Sequence, residues 1–147
     1  MKPEVPRVLT GLAGTVMRSL SPELATPFAR TNAATTAGLL NMIAMEFDGA
    51  AARHVDENDV LRAILADGAR LATDGELRSL LEALVAGQPD RDYKVSTLKA
   101  ENDELRAALI ELHIHVESRD DAAADEMDER IWAELRASVA RRTLTRG

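Results

Sequence analysis

The chain of 147 residues contains 25 acidic and 18 basic side chains, only four aromatic residues and no cysteine. The absence of cysteine excludes disulfide frameworks, thiol nucleophiles and thiolate metal sites. Its length and its 46% apolar content are typical of one globular domain with its own core. Alanine is far more frequent than valine and isoleucine, and no stretch alternates between apolar and polar residues. We therefore predict a single all-α domain over residues 1–147.

The N-terminal segment is not typical of a targeting signal. Lys2 and Arg7 precede a short apolar stretch, but prolines interrupt it and Arg18 ends it. The longest uncharged run covers residues 31–45, which is shorter than the roughly 20 apolar residues of a membrane-spanning helix. We therefore expect a cytoplasmic protein that contacts no membrane.

The first long helix is predicted from about Phe28, because Ser21-Pro22-Glu23 is typical of a helix start and Pro27 delays the regular helix. Apolar side chains at helical spacing continue it to Arg53 or His54. A second helix is predicted from about Asp56 to Leu71.

A shorter helix follows around residues 77–85. Gly87-Gln88-Pro89-Asp90 is then the strongest loop signal of the chain. It predicts a sub-boundary at residues 87–92, between an N-terminal helical layer (1–86) and a C-terminal helical hairpin (93–147).

A heptad pattern marks the next helix. Leucines at 98, 105 and 112 occupy one position of the heptad, and Val95, Asn102, Leu109 and Val116 occupy the other core position. A single asparagine among apolar core positions fixes register in two-stranded coiled coils. Two interpretations stay open. These heptad core positions, which we call the heptad stripe, pack against other helices of the same bundle, or they pair with the same helix of a second copy. The candidate oligomer interface comprises Leu98, Asn102, Leu105, Leu109 and Leu112.

The last helix is predicted to return antiparallel to the heptad helix after a turn at residues 117–121. Acidic residues crowd its start and arginines its end, a distribution that complements the helix dipole. Nucleic-acid binding is not expected, because the chain carries a net charge of −7 and no aromatic residue separates these arginines.

Few residues are candidates for chemistry. Glu111 with His115 and His113 with Glu117 are each four apart, so each pair shares a helix face. The two pairs point about 200° apart, so they cannot converge on one ion within a chain. A metal site would need carboxylates from other helices or from a second subunit. We expect helix-stabilising pairs here, and no metal.

One carboxylate stands out in the first half, because Glu46 interrupts an apolar stretch and Arg53 lies seven residues further along the same side. His54 lies on the same face of the first long predicted helix as the apolar residues Ile43, Phe47 and Ala50. The candidate ligand-binding residues are Glu46, Arg53, His54, His113 and His115. No nucleophile elbow, phosphate-binding loop or dinucleotide motif occurs, so we predict no catalytic residue and no cofactor.

Three features in succession carry a resemblance: an N-terminal helix pair ending near Glu46 to Asn58, then Asn102-Asp103-Glu104-Leu105 leading to Ile110-Glu111-Leu112-His113, and finally Ile131-Trp132-Ala133-Glu134-Leu135-Arg136. Together they resemble a small helical family of unknown function whose members tend to be encoded beside acyl-CoA dehydrogenases and phosphotransferase-like kinases. The resemblance implies an accessory role near acyl-group metabolism. The sequence departs from that family at its end, where the expected Asn-Pro is absent.

These patterns together predict an all-α bundle of five or six helices with a C-terminal antiparallel helical hairpin. The predicted function is a non-catalytic helical accessory or protein-interaction module that forms a homodimer. The alternative is a small-ligand-binding or metal-dependent helical enzyme that uses Glu46, His54 and the region of His113 and His115. If the heptad helix pairs with its own copy, Asn102→Leu is expected to change register or oligomeric state.

Overall fold

The computed structural model describes residues 4–87 and 92–142, apart from the side chain of Asp48. These residues form five α-helices, joined in part by a π-helical segment at Val16–Leu20 and a 3₁₀ turn at Ser21–Glu23. The helices are α1 (Val5–Thr15), α2 (Pro27–Leu71), α3 (Gly75–Ala86), α4 (Val95–Glu117) and α5 (Ala122–Arg142). No strand occurs in the described ranges, so the predicted all-α bundle and its helix number are confirmed.

The helix boundaries follow local side-chain chemistry. Asp74 caps α3, because its Oδ1 accepts hydrogen bonds from the backbone N–H groups of Glu76 at 2.8 Å and Leu77 at 2.9 Å. These two bonds also hold the pKa of Asp74 below its ordinary value. Asp121 accepts from the N–H groups of Ala123 and Ala124 at the start of α5. The short turn before Asp121 brings α4 and α5 together as the predicted hairpin.

The predicted interruption between His54 and Asp56 is wrong, because α2 continues through it as one helix of 45 residues. Nothing between residues 53 and 57 stops a helix, since neither glycine nor proline occurs there. Asp56 is a common helix-start residue, but it lies exposed on a continuing helix. A cap residue therefore did not mark a boundary in the absence of a helix breaker.

The chain divides into two compact units, the first ending at Ala50 and the second beginning at Ala51. In the described part of the first unit, every buried apolar residue is an alanine: Ala13, Ala37, Ala44 and Ala50. Alanine offers little apolar area to bury, so this unit gains little stability from its own interior. The predicted sub-boundary at residues 87–92 does not coincide with this division between Ala50 and Ala51. Part of it falls outside the described residues, so it stays a prediction.

The second unit has a conventional core of larger side chains from α2, α3, α4 and α5. Its fully enclosed members include Leu65, Leu81, Leu112 and Ile131, each with no exposed surface. The remaining core residues are Leu61, Ile64, Ala69, Leu105, Ala108, Leu109, Val116, Ala124 and Met127. Most of the apolar burial therefore lies in the second unit.

Gly68 allows α2 to approach α4 closely within this core. A Cβ atom placed on Gly68 would lie 2.8 Å from Cδ1 of Leu112, well inside van der Waals contact. Since Leu112 is fully buried, it has little freedom to move away. The glycine is thus explained by packing.

Arg62 ties three helices of the second unit together. Its guanidinium donates to the backbone carbonyls of Leu84 at 2.6 Å and Gly87 at 3.1 Å, where α3 ends. The same group pairs with Glu101 of α4 at 2.8 Å. The terminal carbonyl groups of α3 therefore gain a charged donor from α2.

Candidate functional site

The most deeply buried charge of the described chain is Glu57 of α2, whose side chain is 1% exposed. Its carboxylate accepts hydrogen bonds from Ser138 at 2.7 Å and from Arg142 at 3.0 Å, both on α5. Arg106 of α4 also pairs with Glu57 and donates to the hydroxyl of Ser138 at 2.6 Å. Three helices thus meet at one carboxylate.

Burial on its own raises the pKa of Glu57, because an ionised carboxylate loses its hydration there. Hydrogen bonds from Ser138, Arg142 and Arg106 outweigh that effect and lower the pKa to about 2. Glu57 is therefore ionised at neutral pH and has no proton to donate. This cluster links helices and does not have the chemistry of a general acid.

The asparagine of the heptad helix is bonded within its own chain. The amide nitrogen of Asn102 donates to Oδ1 of Asn58 at 2.8 Å, and Arg106 donates to Oδ1 of Asn102 at 3.0 Å. Asn58 in turn donates to the backbone carbonyl of Leu98 at 3.1 Å. The amide that would specify register between two copies is thus satisfied inside one chain.

Asn102→Leu is therefore expected to lower the free energy of unfolding of the single chain by about 2 kcal/mol, because it leaves buried polar groups of Asn58 and Arg106 without this partner. Urea unfolding at several protein concentrations measures the effect. A variant with unchanged stability but a different oligomeric state would support the self-pairing interpretation instead.

The candidate interface residues Leu98, Asn102, Leu105, Leu109 and Leu112 are all buried in the single chain. Packing inside the bundle, one of the two interpretations of the heptad pattern, is the arrangement seen in this structure. Ile110 and Ile114, outside the stripe, remain exposed. The five side chains are packed within the single chain, and their assignment to an oligomer interface stays a prediction.

His113 and His115 contact different elements, as expected from their spacing on α4. Nε2 of His115 accepts a hydrogen bond from the backbone N–H of Thr73 at 3.3 Å, in the turn between α2 and α3. Nε2 of His113 lies 2.7 Å from Oδ1 of Asp128 on α5. Glu117 lies one turn after His113, with its Oε1 at 3.6 Å from the same nitrogen.

Among the described residues, the potential metal-ligand atoms of one group of three side chains, His113, Glu117 and Asp128, lie within 4.8 Å of one another. Sequence reasoning identified the first two and the need for a carboxylate from another helix, but it missed Asp128. The sequence holds no exact signal for Asp128, because His113 lies four residues before the predicted turn at residues 117–121 and Asp128 lies seven residues after it. An antiparallel hairpin brings the two regions together, but it does not single out Asp128 among its neighbours.

The remaining predicted site residues lie on α2. Glu46, Arg53 and His54 are each partly buried and each has an interaction partner. Glu46 belongs to the first unit, whereas Arg53 and His54 belong to the second. None of the three belongs to the group formed by His113, Glu117 and Asp128, and their assignment to a ligand-binding site stays a prediction.

The first unit exposes large apolar side chains along one side of α2, which we call the apolar face. Phe28, Leu39, Met42 and Ile43 are exposed by 75%, 53%, 49% and 52%, respectively. At 3.6 residues per turn these four share one side of the helix, and the buried Ala37 and Ala44 lie on the other. The helix therefore buries its small side chains and presents its large ones.

No protein-family model, curated protein or solved structure matches the chain. Within the part of the chain that the structure describes, no helix is both long enough and apolar enough to cross a membrane. Function is therefore inferred from the residues themselves.

Proposed function

We propose that the protein is a non-catalytic helical interaction module, and that it forms a homodimer by pairing the apolar face of α2 with the same face of a second copy. The observation that carries this proposal is the composition of the first unit. Its described interior holds only alanines, while Leu39, Met42 and Ile43 lie exposed within about one helical turn and Phe28 is exposed on the same side about three turns earlier. An exposed apolar patch of this kind is typical of a protein–protein contact.

Charge favours a second copy as the partner. Residues 31–45 contain no ionisable side chain, and residues 1–50 hold four basic and four acidic ones. Two such surfaces approach each other without repulsion. Residues 51–147 carry the whole net charge of −7, so contacts between copies through that region would be opposed.

The energetics indicate a dimer that depends on concentration. Burying the exposed half of four large apolar side chains on each copy gains about 6–12 kcal/mol, at roughly 0.75–1.5 kcal/mol each. Association costs about 4–15 kcal/mol in lost motion and side-chain ordering. The two ranges overlap, so dilution is expected to dissociate the dimer.

The sequence resemblance supports the same class of function. The resemblance includes no diagnostic catalytic motif, and members of that family tend to be encoded beside acyl-CoA dehydrogenases and phosphotransferase-like kinases. An accessory protein of the cytoplasm that acts through contacts with other chains fits that setting.

Leu39→Glu and Ile43→Glu are expected to convert the dimer into a monomer at all concentrations. Each places a charge on an uncharged face, and neither residue belongs to the core, so the fold of the chain should persist. Light scattering coupled to size-exclusion chromatography, over a dilution series, measures the mass. Far-UV circular dichroism checks that helicity is unchanged.

Ile110→Glu is the matched control, because Ile110 is an equally exposed isoleucine on α4 of the second unit. This variant should remain a dimer. The proposal fails if the wild-type chain is a monomer throughout the series, or if Ile110→Glu dissociates it while Ile43→Glu does not.

A further inference from the structure

We propose that His113, Glu117 and Asp128 form a binding site for a divalent transition-metal ion of the zinc class. The site lies in the second unit, where the end of α4 meets α5. One ligand atom from each residue lies within 4.8 Å of the other two. This proposal concerns a single chain and does not depend on the proposed dimer.

The ligand spacing fits a tetrahedral ion. Zinc binds imidazole nitrogen and carboxylate oxygen at about 2.0–2.2 Å, so two ligand atoms on one ion are about 3.4 Å apart. Nε2 of His113 and Oε1 of Glu117 are separated by 3.6 Å. Nε2 of His113 and Oδ1 of Asp128, at 2.7 Å, would move apart by about 0.7 Å. Rotation of a carboxylate supplies a movement of that size.

The imidazole is already oriented for this role. His113 is mostly buried and packs against the edge of Trp132, with ring centroids 5.5 Å apart and planes at 82°. In this arrangement Nε2 lies within hydrogen-bond distance of Asp128. A ligand whose rotamer is fixed by packing loses little entropy when it binds an ion.

Local electrostatics favour a cation at this position. Glu117 is the last residue of α4, and the backbone carbonyls at a helix C-terminus carry partial negative charge. Residues 117–129 contain seven acidic side chains and one basic side chain. The His113–Asp128 hydrogen bond engages Nε2 and one carboxylate, whereas Oε1 of Glu117 lies 3.6 Å from that nitrogen, beyond hydrogen-bond distance. An ion engages all three groups.

The imidazole ligand selects the metal. Calcium and magnesium prefer sites built entirely from oxygen, whereas nitrogen and carboxylate ligands together suit zinc and its neighbours. Three protein ligands leave a fourth tetrahedral position open to water or to a donor group from a binding partner.

The test uses the untagged 147-residue chain, stripped with EDTA and titrated with ZnCl₂. Native mass spectrometry gives the stoichiometry and calorimetry gives the affinity. The wild-type chain is expected to bind one zinc ion. Zinc binding should weaken at least about tenfold in each of three variants: His113→Gln, Glu117→Gln and Asp128→Asn. Removing a residue that only hydrogen-bonds a metal ligand already lowers metal affinity by about tenfold to a hundredfold, and these variants remove a ligand itself.

His115→Gln is the matched control, since it removes a histidine two residues away that contacts the turn before α3. It should bind zinc as the wild-type chain does. Glu117 is exposed, so Glu117→Gln should fold normally and a loss of binding there cannot be attributed to unfolding. The monomeric Leu39→Glu variant should keep the site.

The proposal is overturned if the wild-type chain binds no zinc at equimolar metal. It is also overturned if Glu117→Gln and His113→Gln bind zinc as tightly as the wild-type chain, or if His115→Gln weakens binding as much as His113→Gln.

Discussion

Glu57→Gln is expected to lower the free energy of unfolding by about 3 kcal/mol at pH 7. The loss corresponds to the pKa of Glu57, which is 4.5 for an unperturbed glutamate and about 2 in the folded chain. Each pKa unit corresponds to about 1.4 kcal/mol of differential stability. The amide keeps the shape of the side chain but removes the charge that Arg106 and Arg142 bind.

The difference between the two proteins should depend on pH in a defined direction. Because folding lowers the pKa of Glu57, its contribution is complete above about pH 4.5 and disappears as pH falls toward 2. The amide does not titrate, so the stability gap should shrink over that interval. Urea unfolding at steps from pH 7 to pH 2.5, followed by circular dichroism, measures it.

Asp103→Asn is the matched control for charge removal. Asp103 pairs with Lys99 on the exposed side of α4, and exposed pairs of this kind contribute less than about 0.5 kcal/mol. A Glu57→Gln deficit that stays constant down to pH 2.5 would contradict the proposed role of the buried charge. So would an equal deficit in Asp103→Asn.

Leu112→Ala is expected to destabilise the second unit by about 3–5 kcal/mol, because Leu112 is fully buried against Gly68 of α2. Gly68→Ala alone should also destabilise, by about 1–3 kcal/mol, since its new methyl group overlaps Leu112. In the Leu112→Ala background the same change should become stabilising by about 1 kcal/mol. The methyl group then enters the cavity, and alanine favours helix over glycine.

This reversal of sign is measured by unfolding the wild-type chain, both single variants and the double variant under one set of conditions. Leu80→Ala serves as the control, because Leu80 of α3 is exposed and should cost about 1 kcal/mol or less. If the changes in unfolding free energy of Gly68→Ala and Leu112→Ala simply add in the double variant, the two side chains are not in contact, which would contradict the packing described above.

Helical periodicity was enough to predict the fold class and the C-terminal hairpin. It failed where a plausible cap at Asp56 was read as a boundary, since the surrounding residues continue α2. Capping residues satisfy helix ends, but they do not create an end where the following residues favour helix. The absence of glycine and proline was the more informative signal.

The polar sites were harder to predict, because their partners are distant in sequence. Glu46 attracted attention for interrupting an apolar run, whereas Glu57 is the carboxylate that becomes buried. Its position four residues before Leu61, and therefore on the same side of α2 as the core, was the available signal. Ser138, Arg106 and Asp128 could be placed only once the pairing of the helices was known.

The heptad pattern shows a further limit of sequence reasoning. Leucines at seven-residue spacing with one asparagine are equally compatible with a partner helix from a second copy and with one from the same chain. In the present structure the partner of the Asn102 amide comes from the same chain, because Asn58 of α2 accepts its hydrogen bond. Nothing in the sequence around Asn102 identifies that partner.

The partners of Glu57 also constrain when the second unit can fold during synthesis. Ser138 and Arg142 lie 81 and 85 residues downstream of Glu57. Until α5 has left the ribosome, the carboxylate has neither donor and remains better hydrated than buried. The core of the second unit therefore closes late, and contacts over such sequence distances slow folding relative to helical bundles with local contacts. A nascent chain that lacks α5 is expected to keep its leucines accessible to chaperones.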